Sequence, residues 1–221
     1  MQRSWLWSLR YSLQMRDSGR NEPTGLWSLI LAAGGSRRLG MPKQLLRFRS
    51  RSLLSHTIVA AEAVTPGQVL VVLGAHALKL RLLLRRYHPD VYTITNSDWP
   101  EGMAGSLRIG LSALPARADA ALLLVCDQPG VGAKSLRRLV HVWQNHPGQA
   151  AAAQYTGQVG VPVVLPRRLW PKASELSGDA GARNFLREEV GVLGIVPMPE
   201  AAFDVDTVRD RARLSDRDFR R

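Results

Sequence analysis

The chain lacks most of the features that would assign it to a class at a glance. Its 221 residues include one cysteine, Cys126, so no internal disulfide can form and the reducing cytoplasm is the expected compartment. No apolar run approaches the roughly 20 residues needed to cross a bilayer, so no membrane partner is expected. The histidines His56, His76, His88, His141 and His146 show no metal-ligand spacing with acids or cysteine and are read as structural or surface residues. Aromatics make up only 6% of the chain, and none interleaves with basic residues as base-stacking surfaces require. Two familiar phosphate loops are absent as well. A Walker A loop needs Lys directly after its second Gly, but Met41 and Pro42 precede Lys43 and Gln44 follows it. The dinucleotide fingerprint fails because Ser36 and Leu39 occupy its second and third glycine positions.

Acidic residues are also scarce: 18 Asp and Glu face 30 Lys and Arg, a net charge of +12. Such a balance concentrates polyanions near the surface. A basic nucleic-acid-binding module is the non-enzymatic reading of this charge. The arginines, however, are scattered over the whole chain, and a general arginine bias explains them more simply. The length suits one sizeable domain. Trp5, Leu6, Leu9 and Leu13 recur at helical spacing among arginines, as in a surface-binding helix. Residues 1–25 are nevertheless expected to be a poorly ordered extension, 26–214 the folded domain, and 215–221 a basic tail.

Apolar patterning predicts alternating strands and helices. Strands are expected at 27–31, 68–73, 91–95, 120–126, 150–155, 161–165 and 192–196. Helices are expected at 53–63, 77–86, 105–114, 132–145 and 180–189. The turn at Thr156-Gly157 joins two strands, so at least one strand is antiparallel. The rest of the alternation predicts a three-layer α/β fold of Rossmann-like form, with a mostly parallel sheet covered on both faces. Right-handed crossovers would bring the strand C-termini to one edge, where ligands bind. Gly34, Asn96 and Asp127 each follow a strand and share that edge.

The motifs at this edge carry charge of both signs. Leu31-Ala-Ala-Gly-Gly-Ser-Arg-Arg-Leu-Gly-Met-Pro-Lys43 is a small-residue loop able to turn backbone N–H groups toward a phosphate, with Arg37, Arg38 and Lys43 beside them. Asp127, in Cys126-Asp-Gln-Pro129, has two readings: a ligand for a divalent cation on nucleotide phosphates, or an N-cap for the helix near Gly132. Phe203-Asp-Val-Asp-Thr207 offers Asp204 and Asp206 on one side of an extended segment, with Asp206 or Thr207 also able to cap the next helix. In the loop 96–110, Gly105 and Ser106 begin a helix and could meet a ribose or base. Ser177-Gly-Asp-Ala-Gly-Ala-Arg183 begins another, with Asp179 a cap and Arg183 an anion ligand.

Together these motifs resemble molybdenum cofactor cytidylyltransferase and its close relatives, from about Leu29 to Asp210. The L-A-A-G loop with Lys43 marks nucleotidyltransferases broadly, and G-D-x-G-A-R with D-V-D-T narrows the likeness. Val161 departs from it, because many members place His between Gly160 and Pro162. The resemblance implies a nucleotide-diphospho-sugar transferase type of fold. It also implies transfer of CMP from CTP, favoured over GTP, to the terminal phosphate of molybdenum-bearing molybdopterin, with Mg²⁺ as cofactor. A related transferase using GTP or another phosphorylated acceptor is the enzymatic alternative. By the same likeness Arg37, Lys43 and Asp127 are catalytic, and Leu31, Ala32, Ala33, Gly34, Gly35, Ser36, Asn96, Gly105 and Ser106 bind nucleotide. Asp127, Asp206 and Asp204 hold the metal, and Asp179 and Arg183 bind the acceptor. A molybdoenzyme or its chaperone is a further implied partner. An unfilled acid pair should repel itself, so Asp127→Asn is expected to leave the melting temperature unchanged or raised.

Overall fold

A computed structural model describes residues 25–176 and 193–214. The expected elements at 180–189 and the ends at 1–24 and 215–221 lie outside the described residues. Nine strands are described: β1 Leu26–Ala32, β2 Arg47–Phe48, β3 Arg51–Ser52, β4 Val69–Leu73, β5 Tyr92–Thr95, β6 Ala120–Val125, β7 Ala150–Tyr155, β8 Gln158–Pro166 and β9 Leu193–Pro197. The α-helices are α1 Leu53–Glu62, α2 Ala77–Tyr87, α3 Met103–Ala113, α4 Ala133–Asn145, α5 Trp170–Ser174 and α6 Val208–Arg213.

Seven strands form one sheet in the order β5-β4-β1-β6-β8-β7-β9. β8 runs antiparallel to both neighbours, and every other pairing in this sheet is parallel. The inner strands are buried on both faces, which is why β4 and β6 read as unbroken apolar runs and β1 as one broken only by Ser28. Alternation along β1 divides the core. Leu26 and Ile30 pack with Leu54, Ile58, Leu136 and Leu139 under α1 and α4. Trp27, Leu29 and Leu31 pack with Leu107, Leu111 and Trp170 under α3 and α5. Burying a side chain of this size contributes roughly 1.5–3 kcal/mol.

Two turns refine the sequence reading. Thr156 and Gly157 both have positive φ, 50° and 73°, the form of a type I′ hairpin turn, so β8 begins at Gln158 rather than at Val161. Helix α3 begins at Met103, capped by Gly102 with φ 110°, a conformation open to glycine. Ser106 therefore lies within the first turns of α3, not at its start.

Chain order places the site. Successive strands run outward from β1 to β4 and β5 on one side, and the chain then returns to β6 on the other side of β1. The crevice beyond the C-terminal ends of β1 and β6 is thus the switch point of the sheet, where open α/β folds bind ligands.

Candidate active site

At that switch point lies a cleft of about 860 Å³, within the usual range for small-molecule sites. Residues 31–38 after β1 form one wall, with Trp99, Pro100 and Met103 next to them. Tyr155, Thr156 and residues 158–161 form the opposite wall, and Lys43, Asp127, Asp204 and Asp206 line the floor between them.

The loop after β1 is held from behind. Gln44, buried on the short 3-10 turn Lys43–Leu45, donates from Nε2 to the carbonyls of Ala32 and Gly34, each at 2.9 Å. With those carbonyls tied back, the loop amides can face the cleft, as an anion requires. Ser36 takes a left-handed φ of 52°, accepts the Lys43 N–H on its hydroxyl at 3.0 Å, and accepts the Leu39 and Gly40 N–H groups on its carbonyl. A Cβ at Gly34 would meet nothing within 4 Å, whereas one at Gly35 would come within 2.9 Å of the Trp99 ring. Gly34 thus leaves the backbone open to a ligand, and Gly35 lets the loop rest on Trp99. The Arg37 guanidinium lies 5.7 Å from the Trp99 ring centre, in cation–π range at the rim.

Asp127 follows β6 directly. Helix α4 is capped by Gly132 without any side-chain bond, so Asp127 is not its N-cap. Thr207, not Asp206, caps α6, in a capping box with Asp210. Both acids are therefore free for the cleft. A backbone bond from Val205 N–H to the Asp127 carbonyl, 2.9 Å, ties the two acidic motifs together. Lys43 joins them: its Nζ donates to Asp127 and, at 2.8 Å, to Asp206, whose other oxygen accepts from Arg38 at 3.0 Å.

The charges respond to one another. Burial disfavours the Lys43 ammonium, but the charge and hydrogen bond of Asp127, with the bond to Asp206, outweigh it and hold its pKa above the ordinary value. Burial likewise pushes Asp206 up, and the Lys43 hydrogen bond and charge reverse this, leaving it lowered. At Asp204, loss of water and then the negative charges of Asp127 and Asp206 outweigh the hydrogen bond from Gln128 and the charge of Lys43, and raise its pKa to about 6. Burial raises the Cys126 thiol to about 12, so it is an inert core group.

The donor set suits a hard divalent cation. The Asp127 Oδ1 atom is buried without a hydrogen-bond partner, and carboxylate oxygens are what Mg²⁺ or Mn²⁺ takes beside phosphate. Among the described residues no three His, Cys, Asp or Glu side chains are gathered to hold a metal alone. Asp127 and Asp206 converge on one point, and Asp204 stands beside them.

Leu31 through Arg37, Lys43, Ser106, Asp127, Asp204 and Asp206 all line the cleft. Asn96 and Gly105 do not. The Asn96 side chain is fully buried, with Nδ2 donating to Ser106 Oγ at 3.0 Å and Oδ1 accepting the Asp98 N–H at 3.0 Å, so it braces the loop into α3. Asp179 and Arg183 lie outside the described residues. Sequence reasoning gave no role to Gln44, Trp99 or Gln128. Gln128 is buried and donates to the Ala201 and Val161 carbonyls, at 3.0 and 3.2 Å, joining the cleft wall to the acidic segment. The glutamine after Lys43 and the polar residue after Asp127 were the available signals.

Comparison with known proteins agrees with this geometry. Residues 28–192 match the MobA-like NTP transferase domain. The chain is 35% identical over 201 residues to nicotine blue oxidoreductase of Paenarthrobacter nicotinovorans, covering 84% of this chain and 94% of that protein. It is 29% identical over 151 residues to a probable molybdenum cofactor guanylyltransferase of Rhodopirellula baltica, covering 67% and 66%. The crystal structure of Rv0371c from Mycobacterium tuberculosis superposes with a TM-score of 0.72 at 29% identity, covering 87% of this chain and 98% of that one. The same protein has a manganese complex, with a TM-score of 0.68 at 28% identity, covering 86% and 97%. With three quarters of its length matched, the chain belongs to the MobA-like NTP transferase domain family.

Proposed function

We propose that the chain transfers a nucleoside monophosphate, CMP by its motif resemblance, from the triphosphate to the terminal phosphate of a molybdopterin-type acceptor, releasing pyrophosphate. One observation carries this reading: Lys43, Asp127 and Asp206 meet on the cleft floor beside a backbone loop tied back for anion binding. Family membership alone does not fix the reaction, since one relative is named an oxidoreductase. The cation–acid cluster is what favours phosphoryl chemistry over redox chemistry here.

In this reading the amides of residues 34–36 and the guanidinium of Arg37 hold the β- and γ-phosphates. Lys43 neutralises charge that builds on the leaving pyrophosphate. An oxygen of the acceptor phosphate attacks the α-phosphorus in line; one P–O bond forms as the α–β bridge breaks. The attacking oxygen is already ionised, so no general base is needed, and the protein supplies position and charge. Asp127 and Asp206, with Asp204 beside them, would hold Mg²⁺, which when bound supplies further charge neutralisation at the phosphates. The manganese complex of Rv0371c supports a divalent cation in this fold. Asp179 and Arg183 are assigned to the acceptor by motif, and the product would pass to a molybdoenzyme or its chaperone.

The guanylyltransferase relative makes GTP the competing donor. Pyrophosphate release from CTP and from GTP, each with Mg²⁺ and molybdenum-bearing molybdopterin, tests both levels of the proposal. Faster release with CTP is expected. Faster release with GTP reassigns the base, and no release with either removes the transferase reading.

A further inference from the structure

Binding phosphate does not account for where Lys43 sits. Its ammonium does not reach toward the open loop; it lies between Asp127 and Asp206, at the point where a cation shared by those two carboxylates would be. The arrangement is only partly satisfied. One ammonium is shared by two acids, of which Asp206 also has Arg38 on its outer oxygen, and Asp127 Oδ1 keeps a buried lone pair with no hydrogen bond. The Lys43 backbone is fixed, by its N–H bond to Ser36 Oγ and by the neighbouring Gln44 clamp, so relocation of the charge needs only rotation of the side chain. The loop of residues 34–36 lies along the same cleft, within reach of that flexible stem.

We propose that Lys43 is a built-in substitute for the divalent cation. In the free protein it neutralises Asp127 and, together with Arg38, Asp206; a triphosphate against the loop offers it a stronger anionic partner, and its departure opens Asp127 and the Asp206 Oδ1 atom to the metal. Nucleotide therefore strengthens divalent-cation binding, and cation alone binds this site weakly. This inference rests on reading the cleft as a triphosphate site.

The test uses Mn²⁺ alone, followed by its free-ion electron paramagnetic resonance signal and by the protein's melting temperature. Without nucleotide, wild-type protein should bind Mn²⁺ weakly and show no Mn²⁺-dependent rise in melting temperature. Lys43→Met, which removes the competing charge, should bind Mn²⁺ at least about tenfold tighter and gain melting temperature from Mn²⁺ alone. Lys43→Arg, which keeps the charge, should stay weak. Equal Mn²⁺ affinity in wild type and Lys43→Met overturns the proposal. A separate readout, pyrophosphate release by the wild type, tests the transferase reading. Normal release with equal Mn²⁺ affinities would sink the exchange and leave the transferase standing.

Discussion

Asp127 lies against an ammonium rather than against a second bare carboxylate, and this changes what its loss should do. The repulsion expected from an unfilled acid pair is already quenched by Lys43. Asp127→Asn therefore removes a part-buried charge-assisted bond and leaves Lys43 with one anionic partner. The cost should be about 1–3 kcal/mol, seen as a lower melting temperature instead of an unchanged or raised one, together with loss of transfer. Thermal unfolding and pyrophosphate release of the same variant check both parts. Asp204 behaves oppositely. Its folded pKa is raised to about 6, so the native state binds this proton more tightly than the unfolded chain. Its ionisation thus destabilises the fold above about pH 6, and the penalty fades as pH falls toward the ordinary value of 3.8. Asp204→Asn should raise the melting temperature at about pH 8 and lose that advantage near pH 4. A gain that does not vary with pH would assign the effect to packing.

At the scale of elements, the loop after β1 has its Ala32 and Gly34 carbonyls anchored from behind by Gln44. Gln44→Met keeps the side-chain volume and removes both donated bonds, leaving the Ala32 and Gly34 carbonyls without that partner. The KM for nucleotide should rise about tenfold, a loss of about 1.4 kcal/mol, with a smaller change in kcat. Steady-state kinetics that show kcat falling at constant KM would contradict this role. The same element shows what was legible beforehand. Strands β1, β4 and β6 were readable because interior parallel strands are apolar runs, and α1, α2 and α4 because their apolar spacing is helical. The hairpin of β2 and β3 was not: each strand has two residues, and its turn places Arg49 and Ser50 at φ 47° and 68°, where Gly or Asn is the usual signal. Lys43, Asp127 and Asp206 were legible as chemistry from their motifs. That the lysine bridges the acids was not, because the contact joins residues 163 positions apart. Asn96 looked like a ligand residue for a similar reason: an exposed polar loop and a buried brace have the same composition.

For the molecule as a whole, the net charge of +12 favours an anionic ligand such as the proposed nucleoside triphosphate. Arg37 and Arg38 stand at the cleft rim, and the general positive field raises the encounter rate of triphosphate. Screening shortens that field, to about 10 Å at 0.1 M salt and 3 Å at 1 M. The apparent KM for nucleotide should therefore rise steeply with salt while kcat moves little. Kinetics in sodium chloride, at constant free Mg²⁺, check this. A flat KM would place recognition in the loop alone. Among the described residues no helix is long and apolar enough to cross a membrane.

The bond from Val205 N–H to the Asp127 carbonyl also bears on synthesis. A growing chain displays the phosphate loop, Lys43 and Asp127 well before residues 203–207 leave the ribosome. Until then Asp127 is the acid of this cluster available to Lys43, because Asp204 and Asp206 are made last. Pairing of Lys43 with both Asp127 and Asp206 must therefore wait for this late segment, which docks through the Val205 N–H on the Asp127 carbonyl.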